Sequence, residues 1–107
     1  MSSDVDELEQ WVSRIESLAR KTITAVEEYC SSLAEAAAPL FRDQVEAYTY
    51  AGCVSNMLRI LLGYVSVWTI MLIMPLIQRI SDEDVRKHYN TRIESVIDEI
   101  KRHINNT

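Results

Sequence analysis

Apolar residues recur along the first third of the chain at intervals of seven. Val5, Val12, Ala19, Val26, Leu33 and Leu40 form one row, and Leu8, Ile15, Thr22, Tyr29 and Ala36 form a second beside it. Alternating steps of three and four put both rows on one side of an α-helix. The helix is expected to start at Ser3, whose hydroxyl can cap the chain end while Asp4, Asp6 and Glu7 face the positive end of the helix dipole. Thr22 and the alanines thin the seam, which therefore suits close packing in a bundle better than a free-standing zipper. Pro39 should interrupt it. The residue before a proline is pushed out of helical geometry, and proline itself fits best as the first residue of a new helix. Ser31-Ser32 is a weaker candidate break, since Ser32 and Glu35 have capping-box spacing.

The second segment has a different pattern. Up to Ser66, the residues Thr49, Gly52, Asn56, Arg59, Gly63 and Ser66 fall on one stripe at spacings of three and four. Val54, Met57, Leu58, Leu61, Leu62, Val65 and Trp68 occupy the remaining sides. Beyond Ser66 the small and polar stripe nearly vanishes, through Val67, Trp68, Ile70, Met71, Leu72, Ile73, Leu76 and Ile77. Pro75 removes one helical hydrogen bond and should kink or end the helix nearby.

The third segment opens with Ser81-Asp82-Glu83-Asp84, which reads as an N-cap at Ser81 followed by first-turn acids and a capping-box partner. Val85, Tyr89, Ile93, Val96, Ile97, Ile100 and Ile104 then share one face, with Arg86, Lys87, Arg92, Glu94, Asp98, Lys101 and Arg102 covering the other. The predicted fold is all-α and a single domain over residues 1–107. Three long helices, over about 4–38, 40–78 and 82–105, form an extended up-down hairpin or bundle with a strongly apolar central helix.

Charge sharpens the contrast between the segments. Residues 1–43 carry nine acids and four bases, residues 81–107 six acids and five bases, and residues 44–80 only Glu46, Arg59 and Arg79. Residues 60–77 run for 18 positions without a charge. A helix apolar almost all round must be surrounded by lipid or by protein, and this chain supplies only two other helices. One solution is a membrane span over residues 60–77, long enough at about 1.5 Å per residue to cross a hydrocarbon core of about 30 Å. Arg59 and Arg79 bracket that segment, although Trp68 would sit mid-span, away from the interfacial belt. The other solution is an oligomer that buries the central helix. Candidate helix-packing residues are Gly52, Asn56, Arg59, Gly63 and Ser66. Candidate membrane or oligomer-core residues are Leu61, Leu62, Val65, Trp68, Ile70, Leu72 and Ile73. Arg59, the one charge within residues 47–78, is expected at the end of the apolar core with its head in water, or paired with Glu46 or an acid of the first helix.

Chemistry is sparse. Cys30 and Cys53 sit within helical patterns and read as two small buried apolar side chains rather than a disulfide framework. Asp84–His88 and Glu99–His103 are acid–histidine pairs four apart, which read as surface or helix-end contacts. The Glu-x-x-His spacing of di-iron bundles is absent. Two glycines eleven apart exclude a Gly-rich phosphate loop, and no nucleophile elbow surrounds Cys53. The acidic balance, net −5, argues against nucleic-acid binding. Tyr48, Tyr50, Tyr64 and Trp68 read as aromatic core packing, with a groove for lipid or a hydrophobic ligand as the alternative.

No enzyme, cofactor, metal or small-molecule substrate is expected. The expected partners are other protein subunits or further copies of the chain, with lipid as an additional candidate. The start lacks the apolar core of a secretory signal and the arginines of a transit peptide. The first functional expectation is a structural or accessory subunit of a membrane-associated assembly, anchored by residues 60–77. Its alternative is a soluble self-assembling shell, filament or scaffold subunit, cytoplasmic or in a virion-like shell. A third is a bundle that binds lipid or a hydrophobic ligand.

Overall fold

A computed structural model describes residues 2–40 and 44–106, with side chains for residues 4–39 and 46–106. The elements are α1 (Ser2–Ala37), a 3-10 turn (Ala38–Leu40), α2 (Gln44–Trp68), a π-helical turn (Thr69–Ile73), α3 (Met74–Arg79) and α4 (Glu83–Asn105). No strand occurs among the described residues. Because α2, the π turn and α3 continue as one rod, the chain folds as the three long helices its periodicity predicts. They run up, down and up in a bundle of 60 × 18 × 17 Å. Each rod touches both others. The expected Ser3 cap lies outside the described side chains. At the expected break near Pro39, α1 gives way to the 3-10 turn.

The core row of α1 departs from the strict seven-residue seam. Buried positions are Leu8, Val12, Ile15, Ala19, Ile23, Val26, Cys30 and Ala34, whereas Tyr29 and Leu33 are exposed. Leu8, Ala19 and Cys30 are eleven residues apart, close to the natural pitch of a straight helix. A seven-residue seam drifts by about 20° per heptad on such a helix unless it supercoils, and here the inward face moves one position along instead.

The second rod shows a similar displacement with a different cause. Its inward residues are Val54, Leu58, Leu61 and Val65, then Ile73, Leu76, Ile77 and Ile80. An unbroken α-helix would bring Leu72 inward after Val65, but the buried residue is Ile73. The backbone N–H of Met74 donates to the Thr69 carbonyl, five residues back, so the turn holds one residue more than an α-turn. It lies directly before Pro75, which has no N–H to offer and whose ring would crowd the Met71 carbonyl in an ordinary α-helix. Pro75 therefore rotates the inward face rather than ending the helix, which continues to Arg79. Ser66 and Thr69 satisfy their hydroxyls on the Leu62 and Val65 carbonyls, both at 2.8 Å.

The third helix buries Tyr89, Ile93, Val96 and Ile100, with Val85, Ile97 and Ile104 packed at the edges, which is the face its pattern predicts. Its N-cap is Asp82 rather than Ser81. The Asp82 carboxylate accepts from the backbone N–H of Asp84 at 2.9 Å and of Val85 at 3.4 Å. Arg86 reaches back to the Ile80 carbonyl at 2.6 Å and the Ser81 carbonyl at 3.1 Å, which fixes the turn between the rods.

The two cysteines correct the expectation of separate thiols. They form a Cys30–Cys53 disulfide across α1 and α2, with Cα atoms 5.6 Å apart. That separation lies within the range that allows a disulfide. The sequence places each cysteine on a helix but does not specify the antiparallel register that brings them level. Met57 Sδ lies 3.8 Å from each sulfur and closes over the bridge.

Two outcomes follow. In denaturant titrations, Ile73→Ala lowers stability by about 2–5 kcal/mol and Leu72→Ala by less than half as much; the reverse order would mean that the helix passes through residues 69–73 without the wide turn. The unreduced protein titrates with no free thiol, and reduction lowers its stability by about 3 kcal/mol, the value for closing a loop of this size. One reactive thiol per cysteine before reduction would remove the bridge from the fold.

Candidate interaction surface

The surface begins with how much of α2 its neighbours cover. α1 and α4 pack against one side of the rod, so a continuous strip of the opposite side stays open. At the α2 N-terminal end this strip carries Gly52, Asn56 and Arg59, all exposed, and further along Ile60, Gly63, Val67, Ile70, Met71 and Met74. Ile60, Ile70 and Met71 are 63%, 67% and 68% exposed. The helix from Glu46 to Arg79 is long and apolar enough to cross a membrane, and only 28% of its most apolar 18-residue window is buried within the chain. An open apolar strip of this length is unusual on a soluble monomer.

The residues proposed for helix packing do fall on this outer side. Gly52, Asn56, Arg59 and Gly63 are exposed and Ser66 is half-buried. A Cβ added at either glycine would meet nothing within 4 Å, so no contact inside the chain requires their smallness. Glycine inside a helix costs about 1 kcal/mol relative to alanine. The proposed core residues divide. Leu61, Val65 and Ile73 are buried, Leu62 and Trp68 half-buried, and Ile70 and Leu72 exposed. The structure thus separates a set that the sequence treats as one: the first three hold the bundle together and the last two face out. Tyr64, Val67, Met71 and Met74 belong to the open strip but are absent from both sets. The small-residue stripe continues onto them at the same spacing once the wide turn is allowed for.

Arg59 has no ion pair among the described residues, with Glu46 or with any acid of α1. It borders a shallow hollow with Ile60, Gly63, Tyr64 and Val67. Along the α1 edge of the strip, Trp11, Leu18, Trp68 and Leu72 line an apolar groove with Arg14 at its rim. Tyr64 stacks near Trp68, with ring centroids 5.8 Å apart. Tyr48 is 83% exposed and lies twenty residues from Trp68 on the same helix, so the four aromatics do not converge on one groove.

Polar chemistry gathers on the far side, between α1 and α4. Arg92 bonds Glu9 at 2.7 Å and also Glu16, and stands over the Tyr89 ring. The Tyr89 hydroxyl donates to Glu9 at 3.3 Å. Hydrogen bonds from Arg92 and Ser13, more than any other influence, bring Glu9 down to about 2, and the two glutamates push Arg92 above its ordinary value. Burial, with the Glu9 charge beside it, raises Tyr89. His103 Nδ1 lies 3.8 Å from Glu27 across the α1–α4 interface rather than pairing with Glu99. His88 rests edge-on to Tyr89. No group of three metal-ligating side chains occurs among the described residues. These polar contacts join the chain to itself, whereas the apolar strip on α2 has no cover among the described residues. Compared with known proteins, the chain matches no family, no curated protein and no solved structure.

The Arg92 cluster predicts an acid limb in stability. The folded pKa of Glu9 lies below its ordinary value of 4.5, so its contribution is complete above that pH and is lost as the pH falls toward 2. Glu9 is nearly half exposed, so the effect is modest. Denaturation midpoints measured from pH 7 to pH 2 should fall less steeply for Arg92→Met than for the wild type over the acid limb. Parallel curves would detach that limb from this cluster.

Proposed function

We propose that the protein is a non-enzymatic structural subunit that assembles with further copies of itself, burying the outer strip of α2. The observation that carries this reading is that α2 is apolar on the side its own chain leaves open, while α1 and α4 present charged exteriors along the same length. On α1, the stretch from Trp11 to Val26 lies against α2 from Met57 to Trp68 and Leu72. That stretch carries Arg14, Glu16, Arg20 and Lys21. The intact bundle therefore has one face suited to an apolar partner and two suited to water. A second copy of the chain supplies that partner at no further requirement of sequence, and a shell, filament or scaffold would be built from such pairs through additional contacts. The Cys30–Cys53 disulfide fits an oxidising setting such as an extracellular or particle surface better than a reducing cytoplasm.

A second reading draws on the length and apolarity of Glu46–Arg79. Here α2 and α3 enter a bilayer and the protein is an accessory subunit of a membrane-associated assembly. This requires α1 and α4 to leave the apolar rod over its central portion, because their charged faces run beside it.

Expression followed by fractionation distinguishes the two. Self-assembly predicts a soluble oligomer of defined mass by light scattering. Val67→Arg should stay helical, with dissociation constants raised at least a hundredfold, the consequence of about 3 kcal/mol for an unpaired charge in an apolar contact. Retention in the pellet after carbonate washing, with loss of insertion in Val67→Arg, would establish the membrane reading instead. A soluble monomer at all concentrations would overturn both.

A further inference from the structure

The open strip of α2 is not uniform along its length, and its asymmetry specifies how a second copy fits. One end is small and polar, with Gly52 and Asn56; the other is bulky, with Ile70, Met71 and Met74, all exposed. Gly63 lies between them with open space where a Cβ would stand. Just beyond the two ends lie Glu46 and Arg79, both exposed and neither in an ion pair among the described residues. We infer that two copies pair antiparallel through this strip about a two-fold axis beside Gly63, with Glu46 of each copy against Arg79 of the other. This inference rests on the self-assembly reading above and goes further in naming the partner's orientation and register.

Three features select this arrangement. In an antiparallel pair centred near residue 63, position i faces a position close to 125 − i on the second copy. Glu46 then comes level with Arg79, and symmetry makes that contact twice. Glu46 borders Ser31 and Ala34 of α1, and the helix period puts Arg79, seven residues beyond the Leu72 that lines the α1 groove, on the same margin. A two-fold axis across the helices keeps like margins together, so the opposite charges meet rather than lying on opposite edges.

The second feature is shape. The same register sets the Gly52 and Asn56 end against the Met74 and Ile70 end of the second copy, bulky against small, and brings the two Gly63 backbones together at the axis. A parallel pair would do the opposite, setting Met71 against Met71, glycine against glycine and Arg59 beside Arg59. Like charges in that position disfavour the parallel form. In the antiparallel pair the two Arg59 residues are separated along the axis by seven residues, about 10 Å of helix.

The third feature is area. Ile60, Tyr64, Val67, Ile70, Met71 and Met74 together expose on the order of 700 Å², close to the roughly 800 Å² per partner of a stable interface. No segment of the described chain is free to cover that area from within.

The test uses the full, unreduced chain and sedimentation equilibrium. Glu46→Lys and Arg79→Glu lie on exposed positions and should leave the helical fold in place, each lowering monomer stability by about 1 kcal/mol or less through its place at a helix end. Each alone should weaken self-association about tenfold, since each sets two like-charged pairs face to face. Mixed in equal amounts, the two single variants should form a heterodimer close to wild-type affinity. The substituted position 46 of one copy then faces the substituted position 79 of the other with opposite charge, and the unsubstituted Glu46 and Arg79 pair as in the wild type. The double variant should recover likewise. Wild-type association that neither single variant alters, or that the mixture fails to restore, would overturn the antiparallel register while leaving self-assembly in place. A wild type that stays monomeric, or that binds lipid vesicles only as a monomer, would overturn the register and the self-assembly reading together.

Discussion

The width of a helix governs this molecule more than any single contact does. Neighbouring helices pack at about 8–10 Å, so two of them can screen only about half the circumference of a third. α1 and α4 do so along α2, and Val54, Leu58, Leu61 and Val65 lie where that screening is complete. Had the open half of α2 been polar, the bundle would resemble any small amphipathic three-helix protein. It is apolar instead, and the other features of the structure either hold α2 in place between its neighbours or remain on the open side.

Two kinds of bond do the holding, and they act at separate levels of the bundle. The Cys30–Cys53 bridge joins α1 to α2 toward one end, with Met57 against its sulfurs. Toward the other end, Arg92 ties α4 to α1 through Glu9 and Glu16. The first bond is covalent and indifferent to pH. The second depends on two carboxylates remaining ionised. Between those levels the rods are held by apolar contact and by the approach of His103 to Glu27, and the wide turn at Thr69–Ile73, level with Trp11 and Arg14 of α1, adjusts the fit beside the Arg92 cluster. One additional residue in that turn rotates the last stretch of the rod, so that Ile73 and Ile77 meet the core and Leu72 is left exposed. Pro75 therefore influences the exposed surface as well as the buried one.

The helices and most of their inward faces were legible in the sequence because a 3.6-residue period is a local property. Tyr89, Ile93, Val96 and Ile100 could be read from spacing alone, and the stripe of Gly52, Asn56, Arg59 and Gly63 was visible for the same reason. What was not legible depends on relations between segments or on small departures from ideal geometry. The Cys30–Cys53 pairing needs the register of α1 against α2. The cap at Asp82 instead of Ser81 is a one-residue choice between two competent side chains. Leu33 lies outside the core because a straight helix does not keep a seven-residue seam facing inward. Leu72 and Ile73 are adjacent apolar residues that periodicity ranks alike until the turn before Pro75 is seen. The same blindness merged the core of the bundle with its open strip.

The charges on α1 bear on where that strip can be satisfied. Arg14, Glu16, Arg20 and Lys21 occupy the stretch that lies beside the apolar rod, and each charged side chain at the centre of a bilayer costs about 2.5–3.5 kcal/mol. Four of them amount to about 10–14 kcal/mol, comparable with the whole stability of a typical domain. A bilayer would therefore accept α2 only after the bundle had opened along its middle, with the disulfide still tethering α1 near one end. A second copy of the chain requires no such opening. It would cover the exposed apolar side and leave the charged faces of α1 and α4 in water, so the contacts that build the bundle and those of the proposed assembly would not compete. That compatibility, more than the apolarity of α2 alone, is the physical ground for proposing a protein partner for the strip.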